Sequence, residues 1–69
     1  MRLTAKEFEL CKIQPDPQEI TLLRNNLPVR CGTYGVTFFK REKHQYVEIA
    51  HVNDYRNLDL KTFNEKLNK

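Results

Sequence analysis

Residues 29–52 read VRCGTYGVTFFKREKHQYVEIAHV, and the fold turns on how this stretch is interpreted. It holds both glycines, most of the aromatic residues and the densest positive charge, so core and surface must both be drawn from it. Val36-Thr37-Phe38-Phe39 alternates with the period of a strand, and Gln45 to Val52 alternates again. Between them lies a charged tip, Lys40-Arg41-Glu42-Lys43-His44. The pattern predicts a β-hairpin, or part of a small barrel, presenting a basic turn. Unbroken alternation places Val47 and Ile49 on one face of the second strand, with Tyr46, Ala50 and Val52 on the other. Both faces then carry apolar groups, which predicts a sheet covered on both sides, by helix or by its own curvature. Gly32 and Gly35 flank Thr33-Tyr34 and mark a turn or bulge before the hairpin.

Moving outward, Thr4-Ala5-Lys6-Glu7 is a capping box, with Leu3 and Phe8 at the two positions of a hydrophobic staple. It predicts a helix over about residues 5–12 with Leu3, Phe8 and Cys11 inward. Pro15 disfavours helix in the residue before it. Asp16-Pro17-Gln18-Glu19 repeats the start signal, an N-cap followed by proline at the first helical position. Ile20, Leu23 and Leu27 follow at helical spacing, with Leu22 beside them, and predict a second helix over about 17–26. Asn25-Asn26 and Pro28 would end it. Beyond the hairpin, Asn57 or Asp59 caps a third helix, with Leu60, Phe63 and Leu67 along one side and a Glu65–Lys69 pair outside.

The 69 residues set one domain at most. A chain of this size buries only about 60% of the surface it exposes when unfolded, so few large apolar groups are left over for the surface. No apolar run approaches the roughly 20 residues that span a bilayer. Acidic residues stand in MRLTAKEFEL where a secretory signal has its apolar region. Reduced Cys11 and Cys31 and a cytoplasmic location are therefore expected. The net charge of +3 is unevenly placed: residues 20–47 carry Arg24, Arg30, Lys40, Arg41 and Lys43 against Glu42 alone. A local basic excess points to a polyanionic partner, most often DNA or RNA. It is also what a small domain uses for solubility.

The residues offer little for catalysis. Gly32-Thr33-Tyr34-Gly35 lacks the lysine and following helix of a phosphate-binding loop, and the chain contains no serine. Cys31 with His44 or His51 is the one thiol–imidazole possibility, and a buried thiol with surface histidines is the simpler reading. Cys11, Cys31, His44 and His51 give four zinc-type ligands, but their spacing matches no closed structural site. No metal, no cofactor and no enzymatic activity are expected. The basic tip is the stronger feature. Arg24, Arg30, Lys40, Arg41, Lys43 and His44 are the candidate nucleic-acid contacts. Tyr34, Phe39 and Tyr46 are either bases' stacking partners, contacts for a protein partner, or core.

Residues 15–46 add a family likeness. Asp16-Pro17 opens a leucine-rich run with Leu22-Leu23, followed by Val29-Arg30, Gly35-Val36-Thr37-Phe38 and a conspicuous Tyr46. This order is similar to the segment that joins the catalytic core to the C-terminal β-barrel in transposases of the Mu phage type. The resemblance spans about half the chain. It departs from the family at Tyr46-Val47-Glu48-Ile49, which continues as strand where the family has Tyr-Trp and a helix, and the barrel's later Arg-Tyr-Asp-Pro-like strand is missing. The resemblance implies a DNA-contacting or assembly module. The metal-binding carboxylates of strand transfer would lie outside this chain, so no catalytic residue carries over. The initiator methionine fits a complete small reading frame of a phage or plasmid.

The sequence thus predicts an α+β domain: two short N-terminal helices, a small twisted antiparallel sheet or partial barrel with a basic hairpin, and a C-terminal helix. The expected function is a non-enzymatic nucleic-acid-binding module of transposase-like, phage or plasmid type. The alternative is a small phage-like regulator that binds a host or phage protein through the sheet face bearing Phe39 and Tyr46. No membrane partner is expected.

Overall fold

A computed structural model describes residues 1–13, 18–22 and 27–68, the side chain of Gln18 aside. The first helix, α1 (Ala5–Lys12), forms where its local signals place it. The Glu7 backbone N–H donates to the Thr4 hydroxyl at 3.3 Å, and the Thr4 N–H donates to the Glu7 carboxylate at 2.9 Å. Leu3, Phe8 and Cys11 are buried, as the staple and the helical spacing predict.

The expected second helix is overturned within the described residues. Gln18–Leu22 is a strand, β1, paired antiparallel with β2 (Leu27–Cys31). Residues 14–17 and 23–26, which include the Asp16-Pro17 start signal and the candidate contact Arg24, lie outside the described residues. The physical reason is a nonlocal partner. Ile20 faces Val29 and Leu22 faces Leu27 across the ladder, so Ile20 and Leu22 contribute to the core at period two. Among the described residues there is accordingly one N-terminal helix where two were expected.

The sheet continues through β3 (Gly35–Glu42) and β4 (Gln45–Asn53) in the order β1-β2-β3-β4, every neighbour antiparallel. It is an open sheet with outer strands β1 and β4 rather than a closed barrel. Lys43-His44 makes a two-residue turn between Glu42 and Gln45, with Lys43 at a positive φ of 52°. A left-handed first turn residue matches the twist of the two strands it joins. After β4, Tyr55–Asn57 forms a single 3-10 turn, and α2 (Leu60–Leu67) starts at Asp59, whose carboxylate accepts from the Thr62 N–H at 2.7 Å. Lys69 of the expected Glu65–Lys69 pair lies outside the described residues.

One face of the sheet meets both helices. Val29 and Cys31 of β2, Val36 and Phe38 of β3 and Val52 of β4 join Phe8, Cys11, Tyr55 and Phe63 in a single buried cluster. Phe63 is its centre, with ring centroids 4.8 Å from Phe8 and 6.2 Å from Phe38. The Tyr55 hydroxyl lies 2.9 Å from the Gly32 carbonyl and 3.3 Å from the Cys11 carbonyl, and accepts from Arg56 Nε at 3.1 Å. It ties the end of α1 to the end of β2. The opposite face is not covered by either helix, which corrects the expectation of a sheet covered on both sides. No helix among the described residues is long and apolar enough to cross a membrane.

Candidate functional site

The uncovered face is built by register. Glu19 pairs with Arg30, Arg30 with Thr37, and Thr37 with His51, so all four share the face opposite the core. Further along β3, Phe39 and Arg41 alternate onto the same face. Across from them, the β3–β4 ladder breaks between Phe38 and Phe39: Phe38 faces Ala50, but Phe39 faces Glu48. Ile49 is the extra residue, a β-bulge. The bulge carries Glu48 and Tyr46 onto the open face, beside Phe39 and Arg41. Tyr46 therefore does not share a face with Ala50 and Val52, contrary to unbroken alternation.

The result is a ladder across three strands, two adjacent rings flanked by a guanidinium group at either end. The Arg30 guanidinium carbon lies 5.4 Å from the Phe39 ring centre. The Phe39 and Tyr46 rings meet edge to face at 6.3 Å and 68°. Arg41 lies 5.6 Å from the Tyr46 ring centre. Neither ring belongs to the core: Phe39 is half-buried and Tyr46 is 54% exposed. A groove of about 260 Å³ runs beside them, walled by Thr21 and Pro28 on one side and Arg41 and Tyr46 on the other. Two carboxylates share the face. Glu19 accepts from Arg30 at 2.9 Å, both side chains well exposed, and Glu48 stands opposite Phe39.

The remaining candidate residues fall elsewhere. Lys40 alternates to the opposite side of β3, where its ammonium is 3.6 Å from Glu42. Lys43 and His44 occupy the turn. Residues 40–49 are all exposed except that Ala50, just beyond, is partly buried, so the hairpin end projects past the core as a two-stranded arm. Tyr34, 78% exposed, sits in the β2–β3 connection. Five residue steps separate it from Phe39, about 16 Å at roughly 3.3 Å per residue, so it is not part of the ring pair.

One group was not singled out by sequence reasoning. On the same open face, the Thr37 hydroxyl is 2.8 Å from His51 Nδ1, and His51 Nε2 is 2.8 Å from Asn53 Oδ1. The signal was available, since residues 51 and 53 of a strand share a face and Thr37 pairs with His51. It needed the register to be visible. Gly35 makes room for this ring: a Cβ there would stand 2.9 Å from His51 Cε1 and Nε2. Cys31 is on the core face and His51 on the open one, so the thiol–imidazole pair considered from sequence does not assemble. Instead Cys31 and Cys11 are buried together, and the Cys11 thiol is pushed far above its ordinary range by its hydrogen bond to Cys31 and by burial. No group of three or more potential metal ligands occurs among the described residues.

The chain matches no protein-family model, no curated protein and no solved structure.

Proposed function

We propose that the protein is a non-enzymatic nucleic-acid-binding module whose contact surface is the open face of the sheet together with the β3–β4 arm. The observation that carries this reading is the ladder Arg30–Phe39–Tyr46–Arg41, which sets cations and aromatic rings side by side on an uncovered sheet face. Phosphates need cations and bases need flat apolar partners, and both lie within one groove's width here. The arm adds Lys40 and Lys43 at its end, where the sequence's basic excess is concentrated. Carboxylates Glu19 and Glu48 keep the face from being strongly basic in the free protein, so binding is expected to be moderate and salt-sensitive.

The test is affinity for labelled DNA and RNA as salt is raised, with Lys40, Arg41 and Lys43 replaced together by alanine. Neutralising about three phosphates predicts a loss of roughly 20- to 40-fold between 50 and 200 mM salt. The triple variant should lose most of that dependence. Binding that ignores both salt and the three substitutions would sink the reading.

A second reading is a protein partner along the outer strand. Val47 and Ile49 of β4 remain 36% and 46% exposed, and an edge strand offers unpaired backbone groups. It gains ground if no nucleic acid binds at low salt and a captured protein shifts the β4 amides.

A further inference from the structure

We infer that the open face takes an unpaired nucleic-acid strand, with successive bases set against Phe39 and Tyr46 and phosphates taken by Arg30 and Arg41. The inference rests on the nucleic-acid reading above and makes it narrower.

A duplex and an unpaired strand present different surfaces. In a duplex the faces of the bases are covered by their neighbours, and a flat sheet meets mainly phosphates and sugars. Rings on that sheet then contribute nothing that alanine would not. An unpaired strand presents base faces, and aromatic side chains on an open sheet are their ordinary partners. The spacing agrees. The Phe39 and Tyr46 ring centres are 6.3 Å apart, nearly twice the roughly 3.4 Å rise of a stacked strand. Bases held on the two rings would be unstacked from one another, a state open to a single strand and closed to a duplex.

Exposure points the same way. A chain of 69 residues has little apolar surface to spare, yet Tyr46 is left 54% exposed and Phe39 only half-buried on a face that no helix covers. The β-bulge at Ile49 is what turns Tyr46 to this face. The guanidinium groups that lie over the two rings in the free protein are within a side chain's swing of the phosphates flanking a stacked base. Glu19 competes for one of them, since it holds Arg30 at 2.9 Å. The Thr37–His51–Asn53 chain lies next along the face and offers hydroxyl, imidazole and amide groups to base edges or to ribose.

The experiment is fluorescence anisotropy at low salt with three labelled probes of about ten nucleotides: oligothymidylate, oligouridylate and a mixed-sequence DNA duplex. The proteins are the wild type, Tyr46→Ala, Phe39→Leu and Glu19→Gln, each checked by circular dichroism. Phe39→Leu keeps an apolar side chain in a half-buried position and removes only the ring. One or both single strands should bind at least about tenfold more tightly than the duplex, and each ring substitution should weaken them by roughly 5- to 100-fold while leaving duplex affinity unchanged. Glu19→Gln should tighten binding by releasing Arg30. Titration of the wild type, followed by the Phe39 and Tyr46 ring protons, gives the same answer without relying on variants: upfield movement marks stacking. Duplex binding equal to or tighter than single-strand binding, with the ring positions neutral and the ring protons unmoved, overturns this inference and leaves the broader reading standing. No binding to any of the three probes overturns both. The preference between the thymidylate and uridylate probes separates DNA from RNA.

Discussion

Asn64 shows how much one buried polar side chain holds in so small a domain. Its amide oxygen accepts from the Leu3 N–H at 2.9 Å, and its amide nitrogen donates to the Leu3 carbonyl at 3.3 Å. The two bonds fasten the N-terminus to α2 in the way one strand pairs with another, at a site where Asn64 is 6% exposed. Asn68, one turn later, accepts from the N-terminal ammonium at 2.7 Å but does so at the surface. The two asparagines should therefore differ sharply. Asn64→Leu fills nearly the same space and leaves a buried donor and a buried acceptor without partners, at a cost of about 2–3 kcal/mol. Asn68→Ala loses that solvated contact and a part-buried bond from its amide nitrogen to the Asn64 carbonyl at 2.7 Å, and should cost no more than about 1 kcal/mol. Urea unfolding of both variants checks this. Equal effects would mean that the Leu3 backbone is hydrated and that α2 does not anchor the N-terminus.

At the scale of elements, what was legible in the sequence was what is decided locally. The Thr4 capping box and the Asp59 cap are each complete within four residues, and both helices start where those caps stand. Strand β1 was not legible in the same way. Ile20, Leu22, Leu23 and Leu27 satisfy helical and strand spacing together, and the choice is made by Val29 and Leu27 on the partner strand. The candidate site divides similarly. Its cations and rings could be named from composition, but which of them share a face depends on the register. Lys40 and Arg41 are neighbours in sequence and opposite in space, and one extra residue at Ile49 moves Tyr46 across the sheet. The bulge has a further consequence that unbroken alternation would not suggest. Because Ile49 is the unpaired residue, deleting it should keep Glu48 and Tyr46 on the open face and simply restore a regular ladder with less local twist. The deletion variant should fold, and nuclear Overhauser contacts between the Phe39 and Tyr46 rings should survive. Their loss, with Tyr46 shielded from solvent on the core side, would show that the arm re-registers and that Ile49 is not the bulged position.

For the molecule as a whole, the two helices and the sheet are joined where Cys11, Cys31 and Tyr55 meet, and these groups tie stability to alkaline pH. The Cys11 thiol is raised above its ordinary 9.0, first by its hydrogen bond to Cys31, then by burial, with the Glu7 carboxylate adding to the shift. The Tyr55 phenol is raised above its ordinary 10.0, mainly by burial, and Arg56 opposes part of that shift. Both groups are neutral when protonated, so a raised value means that the folded protein keeps a proton the unfolded chain would release. Below pH 9 both states hold these protons and the contribution is intact. Above pH 9 the unfolded chain sheds the thiol proton, and above pH 10 the phenol proton, while the folded state retains them. The Cys11 and Tyr55 contributions then fall as pH rises through this window, while the same hydrogen bond lowers the Cys31 thiol, which gives up its proton more readily in the folded protein and acts in the opposite direction. The Tyr55 part is therefore best read by difference. Tyr55→Phe removes the phenol and should lower stability at pH 7 through the lost bonds to the Gly32 and Cys11 carbonyls, yet flatten the decline above pH 10. Urea midpoints for wild type and Tyr55→Phe between pH 7 and 11 measure both effects. Parallel curves above pH 10 would mean that Tyr55 ionises as readily in the folded protein as in the unfolded chain, and that its hydroxyl is not sealed between α1 and β2.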